Sequence, residues 1–235
     1  MHSPGADWRM TALSHIAADG LQRRRAAGLT LIDQAEAIAL ACHHMAQRFH
    51  QGGKLIAFGT GESSTDAQHI AVEFVHPVMV GKRALPAIAL TNDVATLTGV
   101  ANRQSWRDVF AYQLRCLAQP QDIALGIAQD DQCPPVLHGL SVAKQLGLLT
   151  IALTGGSSTG MATQTMGDHV FVVPAAEPQI VKEMQVTIYH ILWELVHVFF
   201  EQPGLLGPRR VPGAGRDICV SAGSSGGTAA DCRSV

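Results

Sequence analysis

The residue types best suited to acid-base or metal chemistry are two histidines and a glutamate in two predicted helices. His69 and Glu73 stand four positions apart, so they share one face of a helix. Such a pair can bind a metal or act as acid and base, but it can equally be a solvated ion pair on a helix surface. His190 lies in the most apolar segment of the chain, where an unpaired polar group costs on the order of a few kcal/mol. It is therefore either a satisfied core histidine or a site residue.

A glycine-rich turn precedes the helix that carries His69. The predicted strand at residues 54–58 runs into Gly59-Thr60-Gly61-Glu62-Ser63. Glycine flexibility, the hydroxyls of Thr60 and Ser63 and the free amides of a helix N-terminus are typical of an anion site. Turns of this kind also occur for conformational reasons alone, and the carboxylate of Glu62 argues against a phosphate there. Both readings stay open on these residues.

The elements that must position these groups alternate along the chain. Helices are predicted over residues 8–51, with a break near Gly28, and over residues 180–200. Between them lie five short apolar runs of strand length, at residues 54–58, 87–90, 123–127, 148–153 and 170–173. Segments long enough for a helix separate the runs, which favours βαβ crossovers and a parallel sheet covered on both faces. We expect one domain over residues 1–200 and a flexible tail over 203–235, which is rich in Gly, Pro, Ser and Arg.

Composition excludes several classes of partner. The formal net charge of -2 and the pI near 6.6 give no reason to expect nucleic acid or an anionic membrane. No run reaches the roughly 18 apolar residues of a membrane span, and the first residues do not resemble a leader, so we expect a cytoplasmic protein. Five cysteines without a CxxC pair predict reduced thiols and no structural zinc knot. The nearly all-round apolar helix at 180–200 predicts burial between subunits, in a homotetramer or dimer.

Taken together, the motifs resemble those of the sugar isomerase (SIS) domain family, and most of all those of phosphoheptose isomerases. The similarity covers about residues 33–198. Its motifs are the run 53–63, the D-A-x-H-x-A-x-E helix at 66–73, Leu90-Thr91-Asn92-Asp93, Gly126-Ile127, Leu153-Thr154-Gly155 and the helix at 182–192. The resemblance implies an α/β fold, a three-layer α/β/α sandwich with a five-stranded parallel sheet and an N-terminal helical extension.

The resemblance also implies a reaction and a site. The reaction is the aldose-ketose isomerisation of sedoheptulose 7-phosphate or a related sugar phosphate through an enediol, with Glu73 and His190 as the catalytic acid-base pair. Thr60, Ser63, Asp93 and Lys182 are the substrate-binding residues. Some family members hold zinc with groups that match His69, Glu73 and His190 plus a glutamine. Lys182 occupies the glutamine position here, and a protonated amine cannot ligate zinc.

A second departure concerns the loop that binds phosphate in the family, which is a run of Ser, Thr, Gly and Asn. Here the loop contains Asp130 and Asp131, and two carboxylates repel a dianion. We expect these carboxylates to take up the amides of the following helix, as a built-in anion mimic. The alternative function is therefore a non-catalytic SIS protein that senses a sugar or scaffolds another protein, as do some relatives, including one that binds a replication initiator.

Overall fold

A computed structural model of the chain describes residues 4–156, 167–202 and 204–206. Most of the predicted tail over 203–235 lies outside the described residues, so the boundary between domain and tail stays a prediction. No helix in the described part of the chain is long and apolar enough to cross a membrane.

Five parallel strands form one sheet, as predicted. The strands are β1 (Leu55–Gly59), β2 (Ala87–Ala89), β3 (Ile123–Ile127), β4 (Leu149–Gly155) and β5 (His169–Val173), in the order β2-β1-β3-β4-β5. Every residue of the three central strands is buried. This is expected of parallel strands that are covered on both faces, and it explains why their sequences are continuously apolar instead of alternating. The predicted run 123–127 coincides with β3, and the other four predicted strands differ from the observed bounds by one or two residues at an end.

Helices cover both faces of the sheet. They are α1 (Pro4–Thr30), α2 (Ala35–His50), α3 (Glu62–Val75), α4 (Val94–Arg103), α5 (Val109–Leu117), α6 (Pro134–Gln145) and α7 (Pro178–Glu201). Leu55 and Ala57 of β1 pack with α2, α3 and α7, whereas Ile56 and Phe58 pack with α5 and α6 on the opposite face. Successive side chains of a strand point to opposite faces, so each central strand contributes to two separate cores. The predicted three-layer α/β/α sandwich is confirmed.

The N-terminal helical extension is also confirmed. A turn at Ile32–Gln34 separates α1 from α2, close to the predicted break at Gly28. The amphipathic helix α2 buries Ile38, Cys42, Met45 and Phe49 at helical spacing and packs along α7. Much of the apolar surface of α7 is thus covered within one chain, in addition to any cover from a second subunit.

Candidate active site

The turn between β1 and α3 places the first group of site residues at the carboxyl end of the sheet, where open α/β sheets bind ligands. A Cβ at Gly59 would lie 2.7 Å from the backbone oxygen of Ser63 and 2.8 Å from that of Ile127. Gly61 has a φ of 57°, which favours a residue without a Cβ. Glycine at these two positions therefore lets the chain turn tightly from β1 into α3.

His69, Glu73 and His190 converge between α3 and α7. Their candidate ligand atoms all lie within 4.8 Å of one another. The Nε2 atom of His69 is 3.3 Å from Oε1 of Glu73, and the His69 and His190 rings meet edge to face at 5.1 Å. The Glu73 side chain is 10% exposed and that of His69 is 43% exposed. The predicted juxtaposition of the three side chains is present within a single chain.

Contacts between α3 and α7 hold these groups in place. The Tyr189 hydroxyl lies 2.8 Å from Nδ1 of His69, and the Trp193 indole N–H donates to the backbone oxygen of Glu73 over 2.8 Å. Burial is the main reason that the pKa of His190 is lowered, helped by His69 and opposed by Glu73. Burial also raises the pKa of Tyr189, with smaller contributions from the charges of Asp66 and Glu73. A neutral imidazole and a protonated phenol therefore lie next to the carboxylate at neutral pH.

Lys182 lies on the first turns of α7 and is bound to α3. Its ammonium donates to Oδ2 of Asp66 over 2.6 Å, to the backbone oxygen of Glu62 over 3.0 Å and to the hydroxyl of Thr65 over 3.4 Å. The Asp66 side chain is only 6% exposed, so the ammonium neutralises a buried carboxylate. All three N–H donors of Lys182 have protein acceptors, and a substrate would have to compete with them.

The other predicted substrate-binding residues, Thr60, Ser63 and Asp93, follow the carboxyl ends of β1 and β2. Asp93 caps α4, where its Oδ1 accepts from the Thr96 amide over 3.0 Å, and hydrogen bonds from the Thr96 hydroxyl and amide lower its pKa. The Thr60 hydroxyl lies 3.2 Å from the Cys133 sulfur. Ser63 is buried in the first turn of α3. Whether these residues bind substrate stays a prediction.

The segment from Ala128 to Cys133, here named the β3–α6 loop, does not take the conformation expected from the sequence. Asp130 accepts from the backbone amide of Gln132 over 2.9 Å, and Asp131 accepts from the Gln132 side chain over 3.0 Å. Neither carboxylate caps α6, which has no side-chain cap at its N-terminus. Pro134 and Pro135 are the first two residues of α6 and lack the N–H that a capping carboxylate would accept. The anion-mimic interpretation is wrong in that respect.

Two residues of this site were missed in the sequence. Tyr189 follows the apolar spacing of α7 and was therefore indistinguishable from a core residue. Asp66 is separated from Lys182 by 116 positions, so only the packing of α7 on α3 reveals the pair. The adjacency of Tyr189 to His190 is the one local signal for the tyrosine.

Comparison with known proteins gives consistent matches. A family model described as "SIS domain" matches residues 25–155. The phosphoheptose isomerase of Thermodesulfovibrio yellowstonii is 39% identical over 160 residues, which cover 68% of this chain and 79% of that protein. The phosphoheptose isomerase of a Roseiflexus strain is 33% identical over 206 residues, which cover 86% of this chain and all of that protein.

Solved structures agree with these matches. The structure of a phosphoheptose isomerase from Francisella tularensis superposes with a TM-score of 0.72 at 30% identity, covering 80% of this chain and 98% of that one. A phosphoheptose isomerase from Neisseria gonorrhoeae gives a TM-score of 0.71 at 26% identity, covering 78% and 98% of the two chains.

Proposed function

This chain belongs to the SIS-domain family, and to the phosphoheptose isomerases within it, and on that premise we propose that it interconverts an aldose and a ketose phosphate. The substrate class is sedoheptulose 7-phosphate or a related sugar phosphate. The observation that carries the proposal is the convergence of His69, Glu73 and His190 within 4.8 Å. A paired carboxylate and imidazole are the groups that proton transfer between neighbouring carbons requires.

The chemistry assigned to each residue follows from its environment. Isomerisation removes a proton from the carbon next to the carbonyl and returns a proton to the former carbonyl carbon, with no net oxidation. The Glu73 carboxylate is the base that takes and returns this proton. His190, which is neutral because burial lowers its pKa, moves a proton between the two substrate oxygens. Because the enediol intermediate has a hydroxyl on each carbon, one base and one acid serve both directions.

A zinc ion fits the donor set of this site. Two imidazoles and one carboxylate form the protein ligands of several catalytic zinc sites, which keep the fourth position open. His69, Glu73 and His190 would hold the ion, and bound zinc would supply Lewis-acid stabilisation of a developing enediolate. Lys182 is not available as a fourth ligand while its ammonium is paired with Asp66.

The test of this function is turnover of sedoheptulose 7-phosphate, followed by NMR of the sugar. We expect turnover by the unmodified protein and a loss of about 10²- to 10⁴-fold in Glu73→Gln and in His190→Gln, because each variant lacks one proton-transfer group. Glu194→Gln is the matched control, since Glu194 lies on α7 near His190 but is exposed. Equal rates in Glu73→Gln and the control would contradict the proposal.

The β3–α6 loop favours the second candidate, a non-catalytic protein that senses a sugar or scaffolds another protein. The two carboxylates of the loop repel a phosphate instead of attracting it. The two prolines that follow lack the amide donors that a phosphate would use at a helix N-terminus. Binding without turnover, or no binding of any phosphosugar, would support this candidate over the isomerase.

A homo-oligomer, either a tetramer or a dimer, is part of the proposal. The outer face of α1 carries large exposed apolar side chains, namely Met10, Leu13, Ile16 and Leu21. A groove of about 360 Å³ lies between α1, α2 and α7, and isolated monomers rarely leave such continuous apolar surface uncovered. The residues that line the groove are Gly28, Leu31, Ile32, Ala35, Ile38, Met184, Thr187, Ile191 and Leu195.

Light scattering at micromolar concentration tests the assembly. Ile32 is 66% exposed at the groove and Leu117 is 48% exposed on α5. We expect Ile32→Lys to lower the molar mass and the control Leu117→Lys to leave it unchanged. A monomeric unmodified protein would contradict the assembly.

The cytoplasm is the proposed compartment, because Cys42, Cys116 and Cys133 are free thiols, as is usual under reducing conditions.

A further inference from the structure

Tyr189 occupies a fully buried position beside the two histidines of the site. Its relative exposure is 0%, its hydroxyl lies 2.8 Å from Nδ1 of His69, and its ring meets those of His69 and His190 edge on, at 5.5 Å and 4.9 Å. A phenol keeps its proton at neutral pH, since its ordinary pKa is about 10. The hydroxyl can therefore donate to a bare Nδ1 or accept from a protonated one.

The second nitrogen of His69 decides which of the two roles the hydroxyl takes. Nε2 lies 3.3 Å from Oε1 of Glu73, and an ionised carboxylate can only accept a hydrogen bond. The proton of a neutral His69 must then be on Nε2, which leaves Nδ1 bare. With this tautomer the Tyr189 hydroxyl donates to Nδ1, and a continuous line of hydrogen bonds runs from α7 through His69 to Glu73.

We propose that Tyr189 is a positioning residue that fixes the ring orientation of His69, and through it the carboxylate of Glu73. The inference rests on the proposed function, in which Glu73 is the base. The partner of the second histidine nitrogen commonly fixes tautomer and orientation at functional sites. Tyr189 links α7 to the His69–Glu73 pair on α3, so the docking of two helices that are distant in sequence sets the geometry of the base.

The hydroxyl suits both states that His69 would adopt. If Nε2 bound a metal, the single N–H proton of the neutral ring would lie on Nδ1 instead, and Tyr189 would change from donor to acceptor without moving. Phenylalanine at this position would keep the ring packing but could play neither role. The matched control is Tyr112→Phe, because Tyr112 is the only other tyrosine of the chain and is 41% exposed on α5.

The experiment combines two readouts on protein with ¹⁵N-labelled histidine, stripped of metal and held at pH 8. Long-range ¹H–¹⁵N correlation should show His69 as the Nε2–H tautomer in all three proteins, with the resonance of the bare Nδ1 shifted in Tyr189→Phe only, because that nitrogen loses its hydrogen bond there. Titration calorimetry with Zn²⁺ should show a 10- to 100-fold weaker affinity in Tyr189→Phe only, the usual cost of losing a partner of a metal ligand.

Two results would overturn the inference. One is an Nδ1–H tautomer of His69 in the unmodified protein, which can be measured even if Tyr189→Phe does not fold. The other is a folded Tyr189→Phe with an unchanged Nδ1 resonance and unchanged zinc affinity. Neither readout depends on turnover. If the Nδ1 resonance shifts as expected in a protein that does not isomerise sugars, the positioning role stands and the proposed function fails.

Discussion

The cluster of His69, Glu73, Tyr189 and His190 and the β3–α6 loop differ in how well they keep the features expected of a phosphoheptose isomerase. In the cluster, three candidate ligand groups converge within 4.8 Å, and a buried hydroxyl and an indole N–H support them. In the loop, two carboxylates bond to Gln132 and two prolines open the next helix. The groups suited to proton transfer are present in the cluster, whereas the loop lacks the Ser, Thr, Gly and Asn residues expected to bind phosphate.

The difference shows that the two parts of such a site depend on different structural features. The cluster relies on helical spacing in α3 and on the packing of α7, which the core of the domain enforces. The loop relies on the residues of one short exposed connection, which can change without disturbing that core. Substrate preference can therefore change while the acid-base geometry persists.

The largest expected effect on stability concerns the ion pair between Lys182 and Asp66, which links α7 to α3 beside the cluster. Lys182→Met leaves the Asp66 carboxylate, 6% exposed, without its charged partner, and we expect the free energy of unfolding to fall by about 2 kcal/mol. The control is Lys144→Met, whose partner Asp168 is 3.7 Å away and 40% exposed, with an expected loss below about 0.5 kcal/mol. Urea denaturation measures both. Equal losses would show that Lys182 does not stabilise the docking of α7.

The next effect concerns the loop. Replacing Asp130 with Ser and Asp131 with Gly removes two negative charges near the proposed phosphate position, so we expect the affinity for sedoheptulose 7-phosphate to rise about tenfold. Titration calorimetry on the double variant and on the control Glu194→Gln measures the change. A double variant that binds no better than the unmodified protein would show that the carboxylates do not limit phosphate binding.

The smallest effect is a pH dependence at a pair of histidines that belongs to neither region. His44 Nδ1 lies 2.9 Å from His169 Nε2, and burial, then the charge of His44, lowers the pKa of His169 against the opposing charge of Asp168. Below about pH 6.5, the ordinary value for histidine, the unfolded chain binds more protons than the folded one, so stability falls as the pH drops. His169→Gln should reduce the difference between urea midpoints at pH 7.5 and 5.5. An unchanged difference would contradict the lowered pKa.

The sequence predicts the fold well because its signals are local. Continuous apolar runs locate the buried strands β1, β3 and β4, and the four-residue spacing of His69 and Glu73 places both on one face of α3. The extra length of β4, which extends to Gly155, could not be seen because Thr154 and Gly155 also suit a turn.

The parts of the site that the sequence does not reveal depend on contacts between distant segments. Tyr189 meets His69 across 120 positions, and only its adjacency to His190 distinguishes it locally from the core residues of α7. The same holds for the pairing of Lys182 with Asp66. The Asp130 carboxylate accepts from the Gln132 amide, and the two prolines that open α6 offer it no N–H, although these prolines are visible in the sequence.

Solvent deuterium incorporation is the most direct test of the claim that the cluster performs proton transfer. When the protein is incubated with sedoheptulose 7-phosphate in D₂O, an enediol mechanism should place deuterium on the carbons that exchange a proton, as read by NMR of the recovered sugar. We expect incorporation with the unmodified protein and with Glu194→Gln, and a loss of about 10²-fold or more with Glu73→Gln. Recovered sugar without deuterium from the unmodified protein, or equal labelling by Glu73→Gln, would contradict the account.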